Sequence, residues 1–248
     1  TSFERVGRLV LQQQRHDVRP LQLPVRRFAD RLPERRQLVE EGAVLTEEVE
    51  VYRDPFFGSK VEGDRPPVLT PHQSQAVRRV LESRGYEGFL LHGITGSGKT
   101  EVYLHIIAEI LNRGLDALVL IPEIALTPQL VHRFRARLGD RIAVLHSGLS
   151  DGARYDQWRR IKRGELNVVI GARSGIFAPL PKLGVIVVDE EHDPSFKQGE
   201  GVRYNARDMA LVRGARTGIP VILGSATPSL ESAYNVQQNK LVRLNLPT

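Results

Sequence analysis

The stretch Phe89-Leu90-Leu91-His92-Gly93-Ile94-Thr95-Gly96-Ser97-Gly98-Lys99-Thr100-Glu101 decides how this chain folds. An apolar run, Phe89 to Leu91, meets Gly93, four further residues and then Gly98-Lys99-Thr100, after which Val102, Leu104, Ile106 and Ile107 open a helix. Strand, glycine-rich turn and helix in that order make a P-loop in its required setting. Gly93, Gly96 and Gly98 permit backbone conformations closed to residues with a Cβ, so that the amides of Ile94, Thr95 and Ser97 can turn inward around phosphates. The new helix offers its unpaired amides and the positive end of its dipole to the same anion. Lys99 brings a mobile charge for the β and γ phosphates, and the Thr100 hydroxyl is placed to ligate magnesium. The plainer alternative, a glycine-rich turn with a surface lysine, leaves this set of fixed positions without a cause.

Beyond the P-loop the chain alternates strand and helix in the rhythm of a parallel sheet, so the expected class is α/β, a mainly parallel sheet flanked by helices. Strands are expected at Ala117–Ile121, Ile142–Leu145, Val168–Ile170, Val185–Val188 and Val221–Leu223. Helices are expected over Thr100–Asn112, from the cap Thr127-Pro128 to Leu138, from Ser150 to Arg163, and finally from a second Thr-Pro, Thr227-Pro228.

The most apolar strand ends in Asp189-Glu190-Glu191-His192, about 90 residues after the P-loop. Open α/β sheets bind ligands at this end of their strands. As the partner of a P-loop, Asp189 would hold magnesium opposite Thr100. Glu190 would orient and deprotonate the attacking water, and His192 would sense the γ-phosphate or link the site to the next motif. That motif is Gly224-Ser225-Ala226-Thr227, in which Ser225 and Thr227 either hydrogen-bond the acidic box or cap a helix.

The 248 residues suffice for one large domain and a small one, and 26% are charged. No apolar run approaches the roughly 20 residues of a membrane span, no signal sequence opens the chain, and the absence of cysteine excludes disulfides and thiolate zinc within it. A net charge of +6 favours a polyanionic partner. From Arg133 to Arg163 nine Lys/Arg face three Asp/Glu, either as a nucleic-acid surface or as a basic face kept for solubility.

Upstream, Pro33–Gly42 reads as a short helix stopped by glycine, Ala43–Arg53 as a strand, and Lys60–Pro67 as a linker. Helix then strand is how winged-helix modules end, and a small packing domain fits equally. Thr70-Pro71-His72-Gln73 starts a helix with Ala76, Val77, Val80 and Leu81 on its apolar face. Gln73 there is either a surface residue or a reader of adenine through its amide.

GITGSGKT, DEEH and GSAT, in this order and spacing, resemble lobe 1 of superfamily 2 DEAH-type helicases. EVYRDPF (Glu50 to Phe56), IPEIALTPQ (Ile121 to Gln129) and DEEHDPSFKQGEGVRYNARDMA (Asp189 to Ala210) are similar to the bacterial replication-restart branch of that family. The resemblance covers nearly the whole chain and is closest after Glu50. It implies a winged-helix-like segment and linker, residues 1–62, followed by a RecA-like ATPase lobe, residues 63–248. ATP and magnesium are then the cofactors, with zinc held only by cysteines outside these residues. The implied partners are single-stranded and forked DNA together with replication-restart and helicase-loading proteins, without a membrane, in the cytoplasm at the nucleoid. It also implies that the chain is a piece of a longer protein whose second lobe supplies an arginine.

By the same resemblance Gln73 contacts adenine, and Thr127, Arg173 and Ser174 touch the single-strand backbone. In the loop Asp193 to Asp208, Phe196 and Tyr204 stack on bases while Lys197, Arg203 and Arg207 meet phosphates. Val202 stands where relatives often carry tryptophan. The rival reading is a nucleotide-sensing DNA-binding module without motor activity.

Overall fold

The computed structural model describes residues 63–247 in full and 5–11 and 44–50 as backbone. The chain divides into two compact units, Thr1–Arg53 and Asp54–Thr248. In the first unit, β1 (Arg5–Leu11) pairs antiparallel with β2 (Val44–Glu50), Val6 opposite Val49 and Leu9 opposite Thr46. The strand expected over Ala43–Arg53 corresponds to β2, and β1 was not anticipated. The helix expected over Pro33–Gly42 lies outside the described residues.

The second unit is built on seven strands, β3 (Gly88–Gly93), β4 (Asp116–Leu120), β5 (Ile142–Leu145), β6 (Val168–Gly171), β7 (Leu183–Val188), β10 (Val221–Ser225) and β11 (Val242–Leu246). All pair in parallel, in the order β11-β3-β10-β7-β4-β6-β5. A short antiparallel hairpin, β8 (Lys197–Gln198) with β9 (Tyr204–Asn205), rises between β7 and the helix before β10.

Parallel strands need crossovers, and helices fill them on both faces. On one face lie α1 (Pro71–Leu81), α2 (Lys99–Asn112) and α3 (Pro128–Leu138), packing Ala76, Val80, Ile106, Ile107 and Phe134 against Phe89, Leu91, Val119, Val187 and Ile222. On the other lie α4 (Asp151–Lys162) and α5 (Ala206–Thr217), packing Ile161, Ala206 and Ala210 against Leu90, Leu118, Ile186, Val188 and Leu223. Each such buried Val, Leu, Ile or Phe contributes about 1.5–3 kcal/mol of transfer free energy. That two-sided burial is why the strands read as unbroken apolar runs.

One boundary departs from the sequence reading. The last helix, α6, spans Leu230–Gln237, and its cap is Ser229, whose hydroxyl accepts from Ser232 N at 3.2 Å. Thr227 is not a cap. Both Thr-Pro and Ser-Leu-Glu-Ser satisfy the local rules for a helix start, and a buried carboxylate on Ser229 N selects the second.

Candidate active site

Strand order gathers the three motifs. β10 lies between β3 and β7, so the hydroxyls of Gly224–Thr227 emerge between the P-loop that follows β3 and the acidic box that follows β7. Only glycine allows this approach at residue 224. A Cβ there would lie 1.6 Å from the Tyr103 hydroxyl and 3.2 Å from Asp189 Oδ1.

In the P-loop, Gly96 and Gly98 take left-handed conformations, φ 86° and 85°, and Gly98 starts α2 without a side-chain cap. The first amides of that helix are thus left for an anion. Lys99 is buried, its Nζ donating to Gly93 O at 2.9 Å and standing 3.8 Å from Glu190 Oε1. Ile94 and Thr95 form the exposed rim, while the Ser97 hydroxyl is buried without a hydrogen-bond partner. Gln73 braces the loop. Its Oε1 accepts from Thr70 N at 2.9 Å, closing a capping box, and its Nε2 donates to Ser97 O at 3.0 Å. With both polar atoms engaged, Gln73 fastens α1 to the P-loop, and a Cβ on Gly98 would strike its amide at 2.3 Å. Beside it opens a cavity of about 910 Å³ lined by His72, Gln75, Arg79, His92, Arg243 and Asn245. Two of these come from β11, which the sequence reading did not identify, although Val242, Leu244 and Leu246 alternate as an edge strand does.

In the acidic box, Asp189 Oδ1 accepts from Tyr103 Oη at 3.0 Å. Tyr103 follows Thr100 by three residues in α2, so the two share a helix face, which is the face met by Asp189. Burial first, and the neighbouring Glu190 second, hold the Asp189 carboxyl above its ordinary pKa, and burial with the Asp189 charge holds the Tyr103 phenol well above its own. Glu190 adopts φ 47°, its Oε2 3.7 Å from His192 Nδ1. His192 Nδ1 lies 2.8 Å from Ser225 Oγ and its Nε2 3.4 Å from Thr227 Oγ1, and Thr227 N donates to Ser225 Oγ at 3.0 Å. A hydrogen-bonded chain therefore joins His192, Ser225 and Thr227, with Glu190 within ionic reach of His192.

Magnesium fits this setting on physical grounds. Among the described residues no group of three His, Cys, Asp or Glu side chains gathers as a metal site, so the protein donors would be few, Thr100 and Asp189, with phosphates completing the shell. A carboxylate whose charge is poorly compensated is what a cation compensates. The sign follows for stability without metal. A carboxyl that titrates higher folded than unfolded stabilises most below its unfolded pKa, and that contribution is lost as pH rises through the folded one. Asp189→Asn keeps the acceptor for Tyr103 and stays neutral, so at pH 7 without magnesium its Tm is expected above that of wild type. The difference should shrink on acidification. Thermal unfolding at pH 4 and 7 checks this, and a lower Tm at pH 7 refutes it.

The residues expected to touch nucleic acid divide into two groups. Thr127, Ser174 and Lys197 are exposed, Thr127 also capping α3 through Leu130 N at 3.3 Å. Arg173 is partly buried and grips the base of the hairpin, donating to Ser195 O at 3.3 Å and Lys197 O at 2.8 Å. Tyr204 packs edge-on to Phe177, ring centres 5.2 Å apart, and Val202 projects from the tip with 84% of its surface exposed. Phe196 and Arg207 are corrections. Phe196 is 1% exposed in the core and offers no face to a base. Arg207 is 6% exposed and held by Glu191, Asp208 and Ser229, so it offers no charge to a phosphate. The basic tract is also largely committed: Arg133 and Arg137 pair with the buried Glu101, Arg137 also with Asp64 at 3.0 Å, and Arg135 with Asp140 at 2.6 Å.

Comparison with known proteins agrees with this geometry. The family model described as DEAD/DEAH box helicase matches residues 70–236. Replication restart protein PriA of Bacillus subtilis (strain 168) is 48% identical over 85% of this chain and 27% of its own length. The protein of that name from Synechocystis sp. is 51% identical over 83% and 25%. The chain thus spans about a quarter of the length of these relatives. Among solved structures, RecG bound to a three-way DNA junction superposes with a TM-score of 0.55 at 23% identity, over 73% of this chain and 24% of that one. The UvsW helicase of bacteriophage T4 gives 0.51 at 18%, over 76% and 63%, and both likenesses speak to the fold. With its RecA-like sheet, its P-loop and its acidic box set side by side, the chain belongs to the DEAD/DEAH box helicase family.

Proposed function

We propose that this chain is the first ATPase lobe of an ATP-driven DNA helicase that acts in replication restart, binding ATP and magnesium on one half of a site that a second lobe completes. The observation that carries the reading is the approach of Lys99 to Glu190, at 3.8 Å, together with that of Tyr103 to Asp189, at 3.0 Å. On this reading the phosphate-binding turn and the acidic pair, held close by these contacts, form the two lips of one crevice. The P-loop amides and Lys99 bind the phosphates, and Thr100 and Asp189 hold magnesium, which neutralises phosphate charge. Glu190 orients the attacking water and takes its proton. His192, Ser225 and Thr227 carry the state of the site along β10. The cavity beside α1 suits the nucleoside, and the exposed Thr127, Ser174 and Lys197 suit a phosphate backbone, where hydroxyls and cations hold DNA without reading sequence. Relatives named for replication restart support the cellular role.

ATP hydrolysis by the natural protein that carries this chain, with and without single-stranded and forked DNA, tests the proposal. DNA should stimulate the rate by at least about tenfold, against P-loop enzymes' slow intrinsic turnover. ATP binding with no DNA-dependent turnover would instead favour a nucleotide-sensing module.

A further inference from the structure

Glu191 has no part in the nucleotide chemistry above, yet it is the most buried residue of the acidic box, at 1% exposure. Its carboxylate accepts from Ser229 N at 2.7 Å, Ser229 Oγ at 2.9 Å, Ser232 Oγ at 2.9 Å and Arg207 Nη1 at 3.3 Å. Arg207 in turn donates to Ser229 Oγ at 2.8 Å and Asp208 Oδ1 at 2.9 Å. A carboxylate so deep in the protein is tolerated only when its lone pairs are filled in this way, and such a network has little freedom to rearrange. It fastens the start of α5 and the start of α6 to the residue that follows Glu190.

Glu190 is the residue that needs fixing. Its φ of 47° is a conformation that an L residue keeps only where its surroundings over-determine it. Backbone bonds hold it on both sides, Asp189 N to Leu120 O at 2.9 Å and Glu191 N to Gly224 O at 3.0 Å. The Glu190 carbonyl also accepts from Asp193 N at 2.9 Å, and the Glu191 side chain is the further anchor that ties this turn to α5 and α6.

We propose that Glu191 is a positioning residue for Glu190, its buried carboxylate, locked by Arg207, Ser229 and Ser232, holding Glu190 in the left-handed conformation that aims it at the Lys99 side of the crevice. The inference rests on the ATPase reading above and deepens it. It also gives the hairpin β8–β9 a mechanical place, since its strands lie between the acidic box and Arg207, and Arg173 grips its other foot.

The test compares wild type, Glu191→Gln, Arg207→Met, the double variant and Ser232→Ala in the natural protein that carries this chain. It reads DNA-stimulated kcat, KM for ATP, affinity for a fluorescent ADP, and Tm. In Glu191→Gln and Arg207→Met, kcat should fall about 10–100-fold, the scale of a misplaced catalytic group, with KM and ADP affinity within about twofold. The double variant should be no worse than the singles beyond about threefold, because both break one cluster. Ser232→Ala removes one donor and no charge, and should lower kcat about three- to tenfold. It decides the matter by the same split between kcat and KM should the charge variants not fold. A purely structural cluster would lower Tm and leave kcat per folded molecule unchanged, which overturns the proposal. Parallel loss of nucleotide affinity, or losses that multiply in the double variant, overturn it too. A wild type without DNA-stimulated hydrolysis refutes the ATPase reading and this inference with it, whereas an active wild type matched by its variants refutes the inference alone.

Discussion

Lys99→Ala is expected to lower DNA-stimulated ATP hydrolysis by about a thousandfold, the upper range for removing one preorganised donor from a site of developing charge. The lysine is buried, tied to Gly93 O and poised 3.8 Å from Glu190, so its charge is already held at the phosphate-binding turn. Its charge also draws the Asp189 carboxyl downward against burial and Glu190. Alanine therefore removes a phosphate ligand and makes ionised Asp189 harder to sustain, so magnesium-dependent nucleotide affinity should fall together with kcat. Lys99→Arg keeps the charge on a broader planar head, which the narrow space beneath Gly93 does not suit, and little activity should return. Steady-state hydrolysis with a fluorescent-nucleotide titration checks both variants. DNA-stimulated turnover retained within about tenfold by the alanine variant would remove Lys99 from the role proposed.

The nucleotide half of the site was legible in the sequence because its rules are local. Glycines at fixed spacing, a strand before and a helix after state the P-loop within 13 residues, Phe89 to Glu101. An apolar run ending in carboxylates states the acidic box. What escaped was set by partners distant in the chain. Arg207 reads as a surface cation until Glu191, 16 residues earlier, closes on it. The alternating arginines of α3 read equally as a nucleic-acid surface or a solubility face, and neither reading foresees that Glu101, 36 residues before Arg137, takes two of them. Phe196 belongs to a loop rich in polar residues, and only the return of α5 over the sheet buries it. Thr227-Pro228 and Ser229 compete equally as helix starts on local grounds, and the choice falls to the carboxylate of Glu191, 38 residues upstream of Ser229. Strand β11 was missed because its residues are only partly buried as an edge strand, so its apolar signal is diluted.

Glu190→Gln separates binding from chemistry. Glutamine is close to isosteric and meets the same demands of a left-handed backbone, and Glu191 remains to hold it there, so the crevice should keep its shape. The charge it removes bears on two neighbours. It is the second cause, after burial, that holds the Asp189 carboxyl high, and its loss lets that carboxyl ionise more readily, which favours magnesium. It is also the partner 3.8 Å from Lys99, and its loss leaves the ammonium more fully available to phosphate. Affinity for magnesium-ATP is therefore expected unchanged or up to about threefold tighter, at most about 0.7 kcal/mol by the usual conversion. Turnover should fall by about 10²–10⁴, the contribution of a positioned general base. Equilibrium binding and single-turnover hydrolysis on the same preparation provide the check. Weakened ATP binding would mean that Glu190 acts by shaping the pocket, and unimpaired turnover would mean that another group takes the proton. Either result would also distinguish this residue from Glu191, whose replacement should slow turnover by misaiming a base that is still present.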